Sequence, residues 1–161
     1  MGGSWRPLAR LSRRLLLLWA LLFWQGGFMF YGGVVIPVGS AILSSDQEQA
    51  RITRSVTNYL NLAGAVALAA WGWDVFAERG GRRLRWLFWC LLLFTLGLQA
   101  LLHLRLDELL DSDGSLIHEG RRFGSLHRWY LLASTAQWIG SVILSALTIR
   151  AWRDGDAARS R

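Results

Sequence analysis

The chain has 161 residues, of which 53% are hydrophobic and only 18% are charged, a composition that excludes an ordinary soluble domain and makes the lipid bilayer its expected solvent. Its formal charge is +7, and all of its basic residues are arginines. Because these arginines flank long apolar runs instead of forming a continuous basic face, we predict no nucleic-acid partner.

Four apolar stretches come close to the roughly 20 residues that a helix needs to cross about 30 Å of hydrocarbon. They cover about 15–37, 58–77, 84–104 and 129–149. Continuous runs such as LLLLWALLFW and WCLLLFTLGL do not alternate as the strands of a membrane β-barrel would. The sequence therefore predicts an all-α membrane protein, in which residues 1–161 form a single integral membrane domain, a four-transmembrane-helix antiparallel bundle.

The sequence of the first span predicts that it stays in the protein as a membrane anchor and that its helix is irregular. Its apolar run is longer than that of a cleaved signal peptide and no cleavage site of the A-x-A type follows it, so we expect it to stay in the protein. The glycine pairs at 26–27 and 32–33 predict a close approach of another helix. Pro37 predicts a bend or an early end of the helix.

The second span is expected to begin before its apolar part. Ser45 and Glu48 have the spacing of a capping box, which predicts one helix from about Asp46 to Ala77, or roughly 48 Å at 1.5 Å per residue. A tight connection with two glycines at 80–81 follows, and it predicts that spans two and three are antiparallel neighbours.

The third and fourth spans are joined by the longest polar segment of the chain. Leu106, Leu109 and Leu110 predict that the third helix continues to a turn at 111–114. A short amphipathic segment over 116–123 is expected to rest on the membrane surface.

The arginine distribution predicts the orientation. Twelve of the 18 arginines flank the ends of the spans on the side of the two chain termini and the 78–85 connection. By the positive-inside rule these parts lie in the cytoplasm, which predicts a multi-pass protein of a bacterial cytoplasmic (inner) membrane with both termini cytoplasmic. Aromatic side chains are expected to form anchoring belts at the two boundaries: Trp5, Trp73, Trp86 and Trp152 on the inner side, and Tyr59, Trp129 and Tyr130 on the outer side.

Polar side chains within the spans must find partners, because hydrocarbon offers none. Asp74 is expected to pair with an arginine of the 78–85 connection. The amides concentrate toward the predicted outer side and indicate a polar vestibule that opens outward, formed by Gln25, Asn58, Asn61, Gln99 and Gln137.

The histidines are the residues with the most distinctive chemistry. His103 and Asp107 are four residues apart on one helix face, and His127 is expected at nearly the same membrane depth. Three interpretations are open: polar anchors at the helix ends, a divalent-metal or copper site formed by His103, Asp107 and His127, or axial ligation of haem b by His103 and His127.

No catalytic motif accompanies them. The sequence contains no GxSxG, HExxH, GxGxxG or phosphate loop, and its single cysteine, Cys90, excludes an internal disulfide and thiol redox chemistry. We therefore predict that the protein is not an enzyme.

Three segments carry a family resemblance: FMFYGGVVIPVG at 28–39, QARITRSVTNYLNLAG at 49–64 and LHRWYLLASTAQWIG at 126–140. Over about 15–152 the chain resembles small bacterial four-span integral membrane proteins of unknown function, and loosely resembles copper-resistance-D-like proteins. The resemblance implies a four-helix bundle of the inner membrane and no established reaction.

The predicted function is that of a non-catalytic membrane scaffold or accessory subunit without a cofactor. Its expected partners are the lipid bilayer and either other membrane-protein subunits or further copies of the chain. The alternative is an outward-facing protein that binds or transports a metal ion or haem through His103, Asp107 and His127.

Overall fold

The computed structural model describes residues 5–78, 81–110 and 120–160, with five helices and one π-helical turn. The helices are α1 (Trp5–Phe30), α2 (Ile36–Ile42), α3 (Asp46–Ala77), α4 (Arg82–Asp107) and α5 (Gly120–Arg159), and the π-helical turn (Tyr31–Val35) joins α1 to α2. They give four stretches that are long and apolar enough to cross a membrane: Pro7–Ile42, Glu48–Ala77, Arg82–Asp107 and Arg121–Arg159. The prediction of an all-α bundle is confirmed, and the protein is a multi-pass membrane protein.

The helices alternate in direction, so the bundle has two chemically different ends. At the Asp74 end, α1 and α4 begin while α3 and α5 end; the opposite end is named here the His103 end. Helix α3 packs against both α1 and α4, and α4 packs against α5. The predicted antiparallel neighbours are confirmed, and Gly81, with φ 58°, supplies the left-handed residue from which α4 starts.

Pro37 does not end the first membrane-crossing helix, so the prediction of an early end there is wrong. The π-helical turn Tyr31–Val35 immediately precedes it, and Pro37 lies in the first turn of α2. Proline lacks a backbone N–H and its ring clashes with the carbonyl four residues earlier, and a local change of hydrogen-bond pattern before it allows the helix to pass through. The helix ends at Ile42, where Leu43 becomes extended.

Helix α3 has the predicted bounds, because its start is encoded locally. Ser45 has extended backbone angles and its side chain accepts a hydrogen bond from the Glu48 N–H at 3.3 Å, which satisfies one free donor of the first turn. Helix α4, in contrast, stops at Asp107, and residues 108–110 form a turn in which the Leu109 N–H bonds to the Leu106 carbonyl at 3.1 Å.

The predicted turn at 111–114 lies outside the described residues, as does the first part of the predicted surface segment 116–123. The described part of that segment is the first turn of α5.

The bundle carries large apolar side chains on its outside. Trp19 is 69% exposed, Phe23 73% and Phe94 67%. Such residues would promote aggregation in water but are well solvated by acyl chains, which agrees with a surface facing lipid. The interior is a continuous apolar cluster, whose buried members are Leu17, Trp24, Ala67, Leu68, Trp71, Val75, Leu92, Leu96, Leu144 and Trp152.

Close helix approach occurs mainly at the glycines of α3, and not at the glycine pairs of the first span that the sequence indicated. A Cβ atom on Gly64 would lie 2.6 Å from the Trp24 ring, and one on Gly72 would lie 2.7 Å from the Trp89 ring. Of the paired glycines of the first span, only Gly27 would meet a neighbour, Leu60 at 3.1 Å, since Gly26, Gly32 and Gly33 have open space around them; beyond the pairs, Gly39 would meet the side chain of Gln49. The glycines of α3 therefore let its backbone contact buried indole rings directly.

Candidate binding site at the His103 end

A cavity of about 290 Å³ lies between α3, α4 and α5 at the His103 end. Small-molecule sites usually enclose about 300–1,000 Å³, so this volume suits a compact molecule. Its walls combine polar and apolar side chains: Gln49, Ala50, Thr53, Arg54, Thr57, His103, Leu106, Asp107, Leu110, Phe123, His127 and Tyr130.

The charged groups of the cavity largely compensate each other. Asp107, at the end of α4, forms an ion pair with Arg54 of α3, whose Nε atom lies 3.1 Å from one carboxylate oxygen. His103 lies one helical turn earlier on α4, with its Nε2 atom 3.7 Å from the other Asp107 oxygen. That separation is too long for a hydrogen bond. Among the described residues, the buried Nε2 atom of His103 has no hydrogen-bond partner.

His127 lies at the same cavity but is held differently. Its ring stacks on Phe123 within α5, with ring centroids 6.1 Å apart and planes 5° from parallel. The structure thus brings His103, Asp107 and His127 to one cavity, as predicted. Within the described ranges, however, no three His, Cys, Asp or Glu side chains are arranged so that they could hold a metal ion. Metal and haem ligation stay predictions.

The amides predicted to form a vestibule are mostly buried but do not line this cavity. Gln99 is 0% exposed, Gln137 2% and Gln25 8%, whereas Asn61 is half-buried and Asn58 is exposed. Asn58 is therefore separate from the others. The remaining four, Gln25, Asn61, Gln99 and Gln137, are called here the amide layer. One of its contacts joins two helices: Gln99 Nε2 donates to Ser134 Oγ at 3.2 Å.

The amide layer contains several buried polar atoms. Gln25 Nε2, Gln99 Oε1, Gln137 Nε2 and Asn61 Oδ1 are buried and have no hydrogen bond within the part of the chain that the structure describes. Gln99 is one helical turn from His103, so the layer continues the polar lining of the cavity toward the middle of the bundle. Because an unpaired buried polar group costs free energy, this region is poised to bind polar groups or water.

The Asp74 end differs because its buried carboxylate, Asp74, has several partners. Asp74 and Arg85 are both 0% exposed and form an ion pair, which confirms the predicted arginine partner. The same carboxylate pairs with Arg13 Nη2 of α1 at 3.2 Å and accepts from the indole N–H of Trp152 at 3.0 Å. Trp152 was predicted as a boundary anchor, and that prediction is wrong: it is a buried donor on α5.

Further contacts extend this network to every membrane-crossing helix. Arg13 also pairs with Glu78 at 3.1 Å, and Arg14 pairs with Asp156 at 2.6 Å while its guanidinium lies 5.2 Å from the Trp152 ring centre. The network described here consists of the arginines Arg10, Arg13, Arg14, Arg85 and Arg159 and the carboxylates Asp74, Glu78 and Asp156. Its ion pairs connect the helices at the Asp74 end.

Sequence reasoning did not find Arg54, Phe123 or Tyr130 as parts of the cavity. Tyr130 was predicted as a boundary anchor, yet it is 7% exposed and lines the cavity, so that prediction is wrong. Arg54 and Phe123 carry no pattern that would indicate a site. Arg54 and Phe123 line the cavity because they lie on the sides of α3 and α5 that face it.

A stability measurement tests whether the amide nitrogen of Gln137 lacks a partner, as it does among the described residues. Replacing Gln137 by Leu should leave thermal unfolding in detergent unchanged or shift it upward, because no hydrogen bond of its amide nitrogen is lost. Thr148 is the control, since its hydroxyl accepts from Trp71 Nε1 at 3.1 Å and from Arg85 Nε at 3.3 Å. Thr148→Val should cost about 1–3 kcal/mol. Equal losses in the two variants would contradict the prediction.

No protein-family model, curated protein or solved structure matches this chain. The resemblance to small four-span membrane proteins therefore stays a prediction.

Proposed function

We propose that this protein binds a small uncharged molecule in the cavity at the His103 end, and that this end faces out of the cytoplasm. One observation carries the proposal: His103 lines the cavity next to the Arg54–Asp107 ion pair, and its buried Nε2 atom has no hydrogen-bond partner among the described residues. The arginine distribution supports the orientation, since the Asp74 end has the larger share of arginine.

The chemistry of the walls supports the class of ligand. Arg54 and Asp107 neutralise each other, so a strongly charged molecule gains little there. Gln49 and Thr57 add polar side chains to the wall. Leu106 and Phe123 supply apolar surface. These features favour a molecule about the size of one ring, with an apolar body and one group that donates or accepts a hydrogen bond.

Calorimetric titration in detergent with p-cresol and toluene tests this proposal. The two probes have similar apolar bodies, but only p-cresol has a hydroxyl group. We expect p-cresol to bind about fivefold more tightly, the value of one neutral hydrogen bond. His103→Phe should remove that advantage, whereas His127→Phe should retain it, because the imidazole of His127 stacks on Phe123 and a phenyl ring can do the same. Equal affinities of the two probes for the wild-type protein would refute the proposed class of ligand.

Spectroscopy separates this proposal from the metal and haem interpretations. A Soret band, or a stoichiometric metal ion that is lost in both His103→Ala and His127→Ala, would replace the small-molecule proposal by ligation through the histidines. Wild-type protein with neither property and with selective p-cresol binding would support it.

A membrane scaffold or accessory subunit is the second proposal. It is supported by the exposed helix faces, on which Trp19, Phe23 and Phe94 offer surface either to acyl chains or to the helices of a neighbouring protein. The mass of the protein extracted in mild detergent tests it. A stoichiometric complex, with itself or with another membrane protein, would support the scaffold role, and a monomer would count against it.

A further inference from the structure

A second cavity, of about 740 Å³, lies at the Asp74 end between α1 and α3, with α5 contributing at one side. It is far from the cavity of the proposed function, at the other end of the bundle. We call it the arginine groove. Its lining changes from charged to apolar along its length: Arg10, Arg13, Glu78 and Arg159 on one part, and Leu16, Leu17, Ala70 and Trp73 on the other.

The groove is oriented along the helices. On α1, Leu16 lies six residues, or about 9 Å, deeper into the bundle than Arg10. On α3, Ala70 lies eight residues, or about 12 Å, from Glu78 in the same direction. The charged part is thus at the end of the bundle, at headgroup depth, and the apolar part is at the depth of acyl chains. A phospholipid has the same order of polar and apolar parts.

The charged part has an excess of positive charge. The network contains five arginines and three carboxylates among the described residues, so two positive charges are not compensated within it. The side chains of Arg10 and Arg159 are 32% and 42% exposed, and are accessible from the groove. Each guanidinium has five N–H donors, of which the carboxylate contacts use only a part. The Nε atom of Arg13 is buried without a partner within the described ranges.

The apolar part distinguishes a lipid from a soluble anion. Leu16 is 70% exposed and Trp73 is 72% exposed, and both border the groove. A free phosphate ion would leave these surfaces uncovered, whereas an acyl chain attached to the phosphate would cover them. Trp73 also has the amphipathic ring that is favoured near headgroups.

We propose that the arginine groove binds an anionic phospholipid, with the phosphate of the headgroup on Arg10 and Arg159 and one acyl chain along Leu16 and Trp73. Guanidinium groups bind phosphate oxygens through paired, charge-assisted hydrogen bonds, and basic pockets between membrane helices favour anionic headgroups. The bound lipid would neutralise one of the two uncompensated positive charges, and would bridge α1 and the end of α5.

Native mass spectrometry of the detergent-solubilised protein tests the proposal with two lipids of identical acyl chains, phosphatidylglycerol and phosphatidylcholine. The wild-type protein should retain phosphatidylglycerol preferentially. In the double variant Arg10→Gln/Arg159→Gln, the ratio of bound phosphatidylglycerol to bound phosphatidylcholine should fall about tenfold. It should still fold, because both residues are partly exposed and Asp156 keeps its contact with Arg14 at 2.6 Å. A thermal unfolding measurement checks this.

The matched control is Arg150→Gln/Arg153→Gln, which makes the same charge change at the same end of α5. These side chains are 75% and 79% exposed and lie outside the groove. The control should keep the wild-type preference. An equal loss in both double variants would show diffuse attraction and overturn the proposal, as would equal retention of the two lipids by the wild-type protein. Displacement of phosphatidylglycerol by equimolar inorganic phosphate would assign the site to a free anion and would also overturn it.

Discussion

Asp74→Asn is expected to lower the free energy of unfolding by about 3–5 kcal/mol, the usual cost of removing one partner of a buried ion pair. Asn is nearly the same size as Asp and can still accept a hydrogen bond from Trp152, so the loss reports mainly on charge. Without the carboxylate, the fully buried guanidinium of Arg85 has no charged partner in direct contact within the described residues. Of the two carboxylates that pair with Arg13, only Glu78 would then remain to compensate the positive charge of Arg13.

Unfolding in mixed micelles by increasing detergent or temperature measures this effect, and Asp154→Asn is the control. Asp154 is 60% exposed, and its contacts with Arg150 and Arg153 are both 3.9 Å long, so its loss should cost less than about 1 kcal/mol. The double variant Asp74→Leu/Arg85→Met should recover much of the stability, since it removes both buried charges. Similar unfolding of the two single variants would contradict a structural role for the Asp74 pair.

The first features that could be predicted from the sequence are those encoded locally. The start of α3 depends on Ser45 and Glu48, three residues apart, and the spans depend on the length of apolar runs. His103 and Asp107 are likewise one turn apart on one helix, so their approach to each other followed from helical geometry alone. No neighbouring helix has to be placed correctly for these predictions.

The network at the Asp74 end was only partly predictable because its members come from distant parts of the chain. Trp152 donates to Asp74 across 78 positions of sequence, and Arg13 reaches the same carboxylate from α1. Whether a tryptophan at boundary depth faces lipid or the interior depends on the rotation of its helix, which composition does not determine. The predicted anchors Trp152 and Tyr130 were wrong for this reason, whereas Trp73 is 72% exposed and Trp129 59%.

The two ends of the bundle differ in how the buried polar groups named below are partnered. At the Asp74 end, Asp74 is satisfied by Arg85, Arg13 and Trp152, which restricts the relative movement of the helices. At the His103 end, His103 and the amide layer contain buried polar atoms without partners in the described residues. Such atoms cost stability, and a protein that retains them gains most when a ligand or water binds there. The paired charges at the Asp74 end therefore connect the helices, and the unpaired polar atoms at the His103 end support the small-molecule site proposed there.

Gly64→Ala is expected to destabilise the protein by about 1–3 kcal/mol, although alanine is normally the better helix former. The added methyl group would lie 2.6 Å from the indole of Trp24, closer than any ordinary contact. Trp24 is 1% exposed and belongs to the apolar core, so its ring has little space into which it can move. The helix backbones of α1 and α3 must then separate, and the contacts around the ring weaken.

Gly97→Ala provides the control, because no atom lies within 4 Å of the position of its Cβ and no stability should be lost. In a double-mutant cycle, Gly64→Ala and Trp24→Leu should be less than additive, since the methyl group fills part of the space that the indole leaves. Thermal unfolding in detergent measures all four variants. If Gly64→Ala and Gly97→Ala unfold at the same temperature as the wild-type protein, then α3 does not pack on Trp24 as closely as described. A loss of stability confined to Gly64→Ala, and relieved by Trp24→Leu, would establish that the contact between Gly64 and Trp24 sets the distance between α1 and α3.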